Sequence, residues 1–82
     1  NLNGENLYRF DIDTSSNFSS DFEHVFFNMK LKYDAMALAI KEDKVVVNPS
    51  LTTPIRPGMA IFYTAPRRIN DICLETLGAE HE

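Results

Sequence analysis

Apolar and polar residues alternate near the start of the chain, and a period of two is typical of a half-buried strand. The predicted strand carries Tyr8, Phe10 and Ile12 on one face and Leu7, Arg9, Asp11 and Asp13 on the other. A polar connection over residues 14–20 follows it. We therefore expect the first element to lie with one side against a core.

After the first strand the spacing of apolar residues changes from that of a strand to that of a helix, which predicts the first helix. Ser20 followed three residues later by Glu23 is the pattern of a capping box, so we expect a helix over about residues 21–32. Apolar residues then recur at helical spacing, at Phe22, Val25, Phe26, Met29 and Tyr33. This stripe gives the helix one face to bury.

Three further strands are predicted, over residues 35–41, 45–47 and 59–65. The first is apolar enough to be covered on both sides, with Ala35, Ala37 and Ala39 on one face and Met36, Leu38 and Ile40 on the other. A tight polar connection joins it to the second strand. We expect these two strands to form an antiparallel hairpin.

A final helix is predicted to begin at Pro66 and to end at Gly78, with an apolar stripe at Ile69, Ile72, Cys73 and Leu77. The order β-α-β-β-β-α predicts an α+β fold, in which two helices pack on a small, mainly antiparallel sheet. We expect residues 1–82 to form a single domain. Because the chain begins at Asn1 without an initiator Met or a signal-peptide pattern, we also expect it to be excised from a larger protein.

Composition limits the classes of protein that fit. Of 82 residues, 44% are hydrophobic and only three are Gly, which favours a globular domain over a disordered tail. A net charge of −4 and a pI near 5.0 argue against nucleic-acid binding.

The single cysteine, Cys73, excludes an internal disulfide and fits the reducing cytosol, so we expect a cytoplasmic location. The longest apolar run, residues 35–40, is too short to span a membrane, and we expect no membrane insertion.

The stretch "VVVNPSLTTPIRPGM", residues 45–59, interrupts the strands with three of the four prolines of the chain. Pro49 lacks a backbone donor and ends the strand before it, Pro54 and Pro57 favour an extended path, and Gly58 permits a positive φ. Two interpretations stay open. The stretch is either a crossover connection or a rigid loop that carries a ligand or a partner.

We expect no catalytic residue and no enzyme activity. His24 and Asp21 lie three residues apart on one side of the first helix, but a solvated charge is more common there than a general base. Cys73 falls on the apolar stripe of the last helix, where a buried structural thiol is expected. Asp11 and Asp13 share a strand face and could bind a hard cation such as calcium. Two carboxylates without a third ligand more often form a solvated face, so no metal site is expected.

Most of the chain resembles a known family. The matching features are an apolar strand ending in a basic residue (35–41), a Val-x-Asn-Pro stretch within residues 45–49, a loop with Thr52 and Thr53, an Arg-x-Gly at residues 56–58, and an apolar strand (59–63). These features are similar to the C-terminal regulatory subdomain, of the TrkA-C type, of cytosolic proteins that regulate potassium conductance (RCK proteins). Met59 and Ala65 depart from the pattern, since the family often has Asp and Gly there.

The resemblance implies a cytosolic regulatory domain that dimerises and is attached to the membrane-embedded pore or transporter part of a potassium channel or potassium transporter. Two alternatives stay open: a plain dimerisation module without a ligand, and a regulatory domain of another ion transporter. The dinucleotide-binding lobe that usually precedes this subdomain is absent from the sequence, as is its glycine-rich fingerprint, so no cofactor is expected.

Candidate site residues follow from the same comparison. Family members that bind a cyclic dinucleotide do so in a groove between two such subdomains, which implies a small nucleotide ligand at Ile40, Lys41, Asn48, Pro49 and Arg56. The hairpin is expected to bring the ends of its two strands to one edge of the sheet. Leftover apolar surface on the first helix and on the small-residue strand predicts a homodimer interface at Phe22, Phe26, Met29, Ala37 and Ala39.

Overall fold

A computed structural model describes residues 6–80 of the protein. Its elements are β1 (Asn6–Asp11), β2 (Ser20–Asp21), α1 (Phe22–Tyr33), β3 (Met36–Lys41), β4 (Val45–Val47), β5 (Pro54–Ile55), β6 (Ala60–Ala65) and α2 (Leu74–Leu77). The α+β class is confirmed. Two short strands, β2 and β5, were not predicted, and they pair with each other.

The main sheet has four antiparallel strands in the order β1-β6-β3-β4. The predicted hairpin of β3 and β4 is confirmed, with Ile40 opposite Val46. The register of β3 against β6 shifts between Ala37 and Ala39, so Leu38 is an extra residue in β3. Because of this shift, Ala37 and Ala39 lie on opposite faces of the sheet, and the predicted face of three alanines is not continuous.

Helix α1 covers one face of the sheet, and the predicted stripe is confirmed as core. Phe22, Val25 and Met29 are buried, while Phe26 and Tyr33 are partly buried against them. The sheet and the loops supply the other side of this core, chiefly through Ile12, Ala37, Ile40, Ile55, Met59, Ile61, Tyr63 and Ala65. Full burial of a side chain of this size contributes about 1.5–3 kcal/mol, so α1 and the sheet depend on each other for stability.

The helix begins one residue later than a capping box at Ser20 requires. The N-cap is Asp21, whose Oδ1 accepts a hydrogen bond of 3.0 Å from the backbone N–H of His24. Ser20 is instead a strand residue opposite Ile55. The predicted capping residue was therefore wrong, although the predicted bounds of the helix differ from the observed ones by only one residue at each end.

The proline-rich stretch supplies the remaining contacts at this helix end. The carbonyl oxygens of Thr53 and Leu51 accept hydrogen bonds of 2.8 and 2.9 Å from the N–H groups of Phe22 and Glu23. The first N–H groups of a helix have no partner within the helix, so the loop satisfies donors that would otherwise be left over. Gly58 has the expected positive φ, at 89°.

The final helix is much shorter than predicted. Pro66 begins an irregular segment, residues 66–73, and α2 is a single turn. Two tyrosine hydroxyls accept hydrogen bonds from this segment, Tyr63 from the N–H of Ile69 (3.2 Å) and Tyr33 from the N–H of Cys73 (3.0 Å). These N–H groups bond to the core rather than to carbonyls one turn back, which is the physical reason that the helix does not extend to Pro66.

Asn28 of α1 holds α2 in place. Its side chain is fully buried, and its Nδ2 donates to the carbonyl oxygens of Leu77 (2.9 Å) and Ala79 (2.8 Å). The last carbonyls of a helix have no partner within the helix, so this amide satisfies the carbonyl of Leu77, the last residue of α2, and also that of Ala79 just beyond it. Gly78 ends the helix, as expected, and its N–H donates to the carbonyl of Leu74.

Replacing Asn28 by Asp is expected to destabilise the fold by about 2–4 kcal/mol, since the carboxylate is nearly the same shape but buries a charge opposite two carbonyls. Urea unfolding at pH 7 measures the loss. The same change at exposed Asn70 is the control and should stay within about 0.5 kcal/mol of wild type. A loss below about 1 kcal/mol for Asn28→Asp would show that the amide does not hold α2.

Candidate functional site

The face of the main sheet that α1 does not cover is rich in exposed apolar side chains. Leu7, Val45 and Val47 keep 66%, 49% and 73% of their surface exposed, and Leu38 keeps 37%. A groove of about 310 Å³ runs across this surface and is lined only by apolar residues, namely Leu7, Leu38, Ala39, Val45, Val47 and Phe62. We call these six residues the open face. Contiguous apolar surface of this kind usually marks an interaction site.

Strand register arranges the side chains of this sheet face in cross-strand rows, two of which run across all four strands. One row contains Arg9, Phe62, Ala39 and Val47, and its neighbour contains Asp11, Ala60, Lys41 and Val45. We call them the Phe62 row and the Lys41 row. The Arg9 guanidinium forms an ion pair of 2.9 Å with Asp11 and lies 5.6 Å from the centre of the Phe62 ring. The charges at the β1 edge therefore balance each other.

A second concavity, of about 250 Å³, lies between the turn that joins β3 to β4 and the loop before β6. We call it the turn cleft. Its apolar lining is Ile40, Val46, Pro54 and Met59, and its polar lining is Glu42, Asp43, Lys44, Thr53 and Arg56. Arg56 Nη2 donates to Glu42 Oε1 over 2.7 Å, and both side chains are about half exposed. Two acidic and two basic side chains leave the cleft without net charge.

The five residues predicted to bind a ligand do not converge. Ile40 and Arg56 line the turn cleft, whereas Lys41 lies on the opposite face of the sheet, in the Lys41 row. Asn48 follows β4 and donates its N–H to the carbonyl of Leu38, at the other end of the hairpin. In an antiparallel hairpin the end of the second strand lies beside the start of the first, so Asn48 is about 10 Å along the strands from Lys41. The expectation that both strand ends meet at one edge was wrong.

Asn48 and Pro49 have local structural roles. Asn48 has a left-handed backbone, with φ at 53°, a conformation that Asn tolerates better than most residues. Pro49 is buried immediately after it. Together they end β4 and turn the chain towards the start of α1, in agreement with the interpretation of this stretch as a crossover connection.

The residues predicted for a dimer interface lie mostly inside one chain. Phe22, Met29 and Ala37 are at most 3% exposed in the core, and Phe26 is partly buried there. Only Ala39 lies on the open face. The apolar surface that a partner could contact is therefore on the sheet, not on the stripe of α1.

Sequence reasoning missed Leu7 and Phe62 as members of a surface. Leu7 was assigned to the polar face of β1, and Phe62 was only placed within a predicted strand. One signal was present in the run "VVV" at residues 45–47, since a strand that is apolar at every position must either be covered on both faces or expose one of them. The observed strand exposes Val45 and Val47 on the open face.

His24 connects the start of α1 to the chain beyond α2. Its Nδ1 lies 2.6 Å from Asp21 Oδ1, its Nε2 lies 3.2 Å from Glu80 Oε2, and its side chain is only 19% exposed. The hydrogen bond to Asp21 raises the pKa of His24 above 6.5, and the charges of Asp21 and Glu80 add to this shift. The contacts of His24 indicate a structural bridge.

The two aspartates considered for a cation have other partners. Asp11 pairs with Arg9, and Asp13 Oδ1 accepts hydrogen bonds from the N–H and the hydroxyl of Ser15, which lower the pKa of Asp13. Within residues 6–80, no group of three or more His, Cys, Asp or Glu side chains is placed to hold a metal ion.

Comparison with known proteins found no relative: no family model matches the chain, and no curated protein does. The resemblance to the TrkA-C type of subdomain therefore rests on the residues quoted above. Over residues 6–80, no helix has the length and apolar character needed to cross a membrane.

Cys73 is exposed, so the prediction of a buried thiol was wrong. It lies just before α2, outside the part of the predicted helix that forms. Hydrogen bonds from the side chain and backbone of Thr76 lower the pKa of the Cys73 thiol.

We expect an aromatic disulfide reagent to modify Cys73 at pH 7 in the folded protein. Reaction only after denaturant is added would contradict this exposure.

The raised pKa of His24 predicts a pH dependence of stability. A pKa that is higher in the folded than in the unfolded state stabilises the fold below the unfolded value, near 6.5, and this gain is lost as pH rises through the folded value. Urea midpoints measured from pH 5.5 to 8.5 should therefore fall more steeply for wild type than for His24→Gln. NMR titration should also show a lower His24 pKa in Asp21→Asn. Parallel stability profiles, or an unchanged His24 pKa in Asp21→Asn, would contradict the pairing.

Proposed function

We propose that the protein is a cytosolic regulatory domain of a potassium channel or potassium transporter, that it functions as a homodimer, and that it has no enzymatic activity. The quoted resemblance supports the class of host protein. The segments that carry this resemblance occupy β3, β4, the loop that caps α1, and β6, which form the turn cleft and, together with Leu7 of β1, the open face. The observation that carries the interaction role is the open face itself.

The turn cleft supports the binding of a small ligand within one copy of the domain. At about 250 Å³ it is smaller than the usual range of about 300–1,000 Å³ for a small-molecule site, so it can enclose only part of a ligand of nucleotide size. Ile40 and Met59 provide an apolar floor for a base, and Arg56 is the cation placed to meet a phosphate.

A plain dimerisation module is the second candidate function. The observation that favours it is the 2.7 Å contact between Arg56 and Glu42, because an anionic ligand must displace this carboxylate before it can pair with the guanidinium. A regulatory domain on another ion transporter fits the same surfaces. The parent open reading frame separates these hosts, since a pore-loop segment indicates a channel.

Potassium flux tests the host assignment. The parent reading frame, expressed in a bacterial strain without its own potassium uptake, is expected to restore growth at low potassium, and deletion of residues 6–80 should change the rate of rubidium uptake at equal expression. The matched control is the parent with Leu31→Lys, an exposed change on α1. The proposal is contradicted if cells with the parent reading frame, and cells with the form that lacks residues 6–80, both grow no better than cells with the empty vector.

Calorimetry tests the ligand. Cyclic di-AMP is the first probe, and Arg56→Ala should weaken its binding at least about tenfold, as expected for a charged hydrogen bond to phosphate. Arg67→Ala changes an exposed arginine outside the cleft and is the control. Asn48→Ala should have less effect than Arg56→Ala, because Asn48 lies outside the cleft. An absence of binding up to millimolar ligand would favour the plain dimerisation module.

A further inference from the structure

The open face has the composition of an interface and the size of a large apolar patch. The main sheet has four strands, and the longest have six residues. At about 4.8 Å between strands and about 3.3 Å per residue, the sheet presents roughly 350 Å² in projection. The largest apolar patch of an ordinary monomer is about 300–600 Å² and is often functional. Leu7 and Val47, at opposite edges of this surface, are 66% and 73% exposed.

We propose that two copies of the chain stack open face to open face, related by a two-fold axis that lies parallel to the strands between β6 and β3. This deepens the proposed function by naming the surface through which the domain dimerises. Two sheets packed in this way lie about 10 Å apart and share their apolar side chains as one core.

Shape complementarity supports this axis. The rotation places β6 of one copy over β3 of the other, so the ring of Phe62 lies over the second copy's Ala39, and the reverse contact follows by symmetry. Each copy thus has a large side chain, Phe62, beside a small one, Ala39, in the same row. Under the two-fold rotation the large side chain of one copy faces the small one of the other. The groove that crosses the Phe62 row is the space that the ring of the second copy fills.

Charge complementarity supports the same arrangement. Lys41 forms no ion pair within residues 6–80, and the rotation places it over the second copy's Ala60, one strand away from Asp11. Each Lys41 can thus reach an Asp11 across the interface, twice in the dimer. Asp11 also pairs with Arg9 within its own copy, so each Asp11 is shared between Arg9 and the second copy's Lys41.

A second copy suits this surface better than an unrelated partner of strong charge. The chain carries a net charge of −4, yet the six residues of the open face are uncharged, and Arg9, Asp11 and Lys41 on the same face of the sheet sum to only +1, so like-charge repulsion between copies is small there. Two projected faces bury on the order of 700 Å², which is below the roughly 1,200 Å² of stable specific interfaces. The dimer is therefore expected to be weak, with a dissociation constant on the order of 10–100 µM.

Sedimentation equilibrium of the chain from 5 µM to 1 mM tests the proposal. Leu7→Lys and Val47→Lys change exposed side chains on different strands, and each is expected to raise the dissociation constant at least tenfold. Leu31→Lys, on α1, changes a leucine of similar exposure, 63%, and should leave the constant unchanged. Lys41→Glu should weaken the dimer, and adding Asp11→Lys should restore it, because the rotation brings these positions together.

Two results would overturn the proposal. The first is a monomer at 1 mM, and the second is a dimer unaffected by Leu7→Lys. If such a dimer is lost in Val47→Pro, it forms by pairing of β4 edges instead. Failure of the Asp11→Lys rescue would overturn the stated axis. If the chain dimerises as expected but its parent protein carries no potassium flux, the proposed interface is upheld and the proposed function is refuted.

Discussion

The start of α1 is the constraint on which the rest of the fold depends. Three backbone N–H groups at this end bond to Asp21 Oδ1 and to the carbonyl oxygens of Thr53 and Leu51. Leaving such donors unsatisfied in a partly buried position costs about 1–3 kcal/mol each, so the path of residues 48–58 is set by the helix it caps. That path places Ile55 in the core and delivers the chain to β6, a central strand of the sheet.

The sequence predicts those elements in which apolar residues recur with a single period. The stripe of α1 and the hairpin of β3 and β4 are of this kind, and both are present. The segment after Pro66 also has a helical stripe, but its N–H groups find better partners in the hydroxyls of Tyr33 and Tyr63. Such partners lie far away along the chain, so a local pattern cannot reveal them.

The same limit applies to the candidate site. Ile40 and Arg56 both line the turn cleft, but the direction of β4 separates Asn48 from both of them. The open face depends on which side of the sheet α1 covers, and on the extra residue at Leu38 that reverses the alternation of β3. Neither is encoded in the spacing of apolar residues, because an apolar strand gives the same pattern whether one face or both are covered.

Methyl NMR on dilution tests the central claim, that the uncovered sheet face is the interaction surface of this domain. Between 1 mM and 20 µM, the account predicts that the methyl signals of Leu7, Leu38 and Val47 shift together, while those of Val25 and Leu77, in the core under α1, stay fixed. The opposite pattern, with shifts confined to methyl groups on α1 such as those of Leu31, would contradict it.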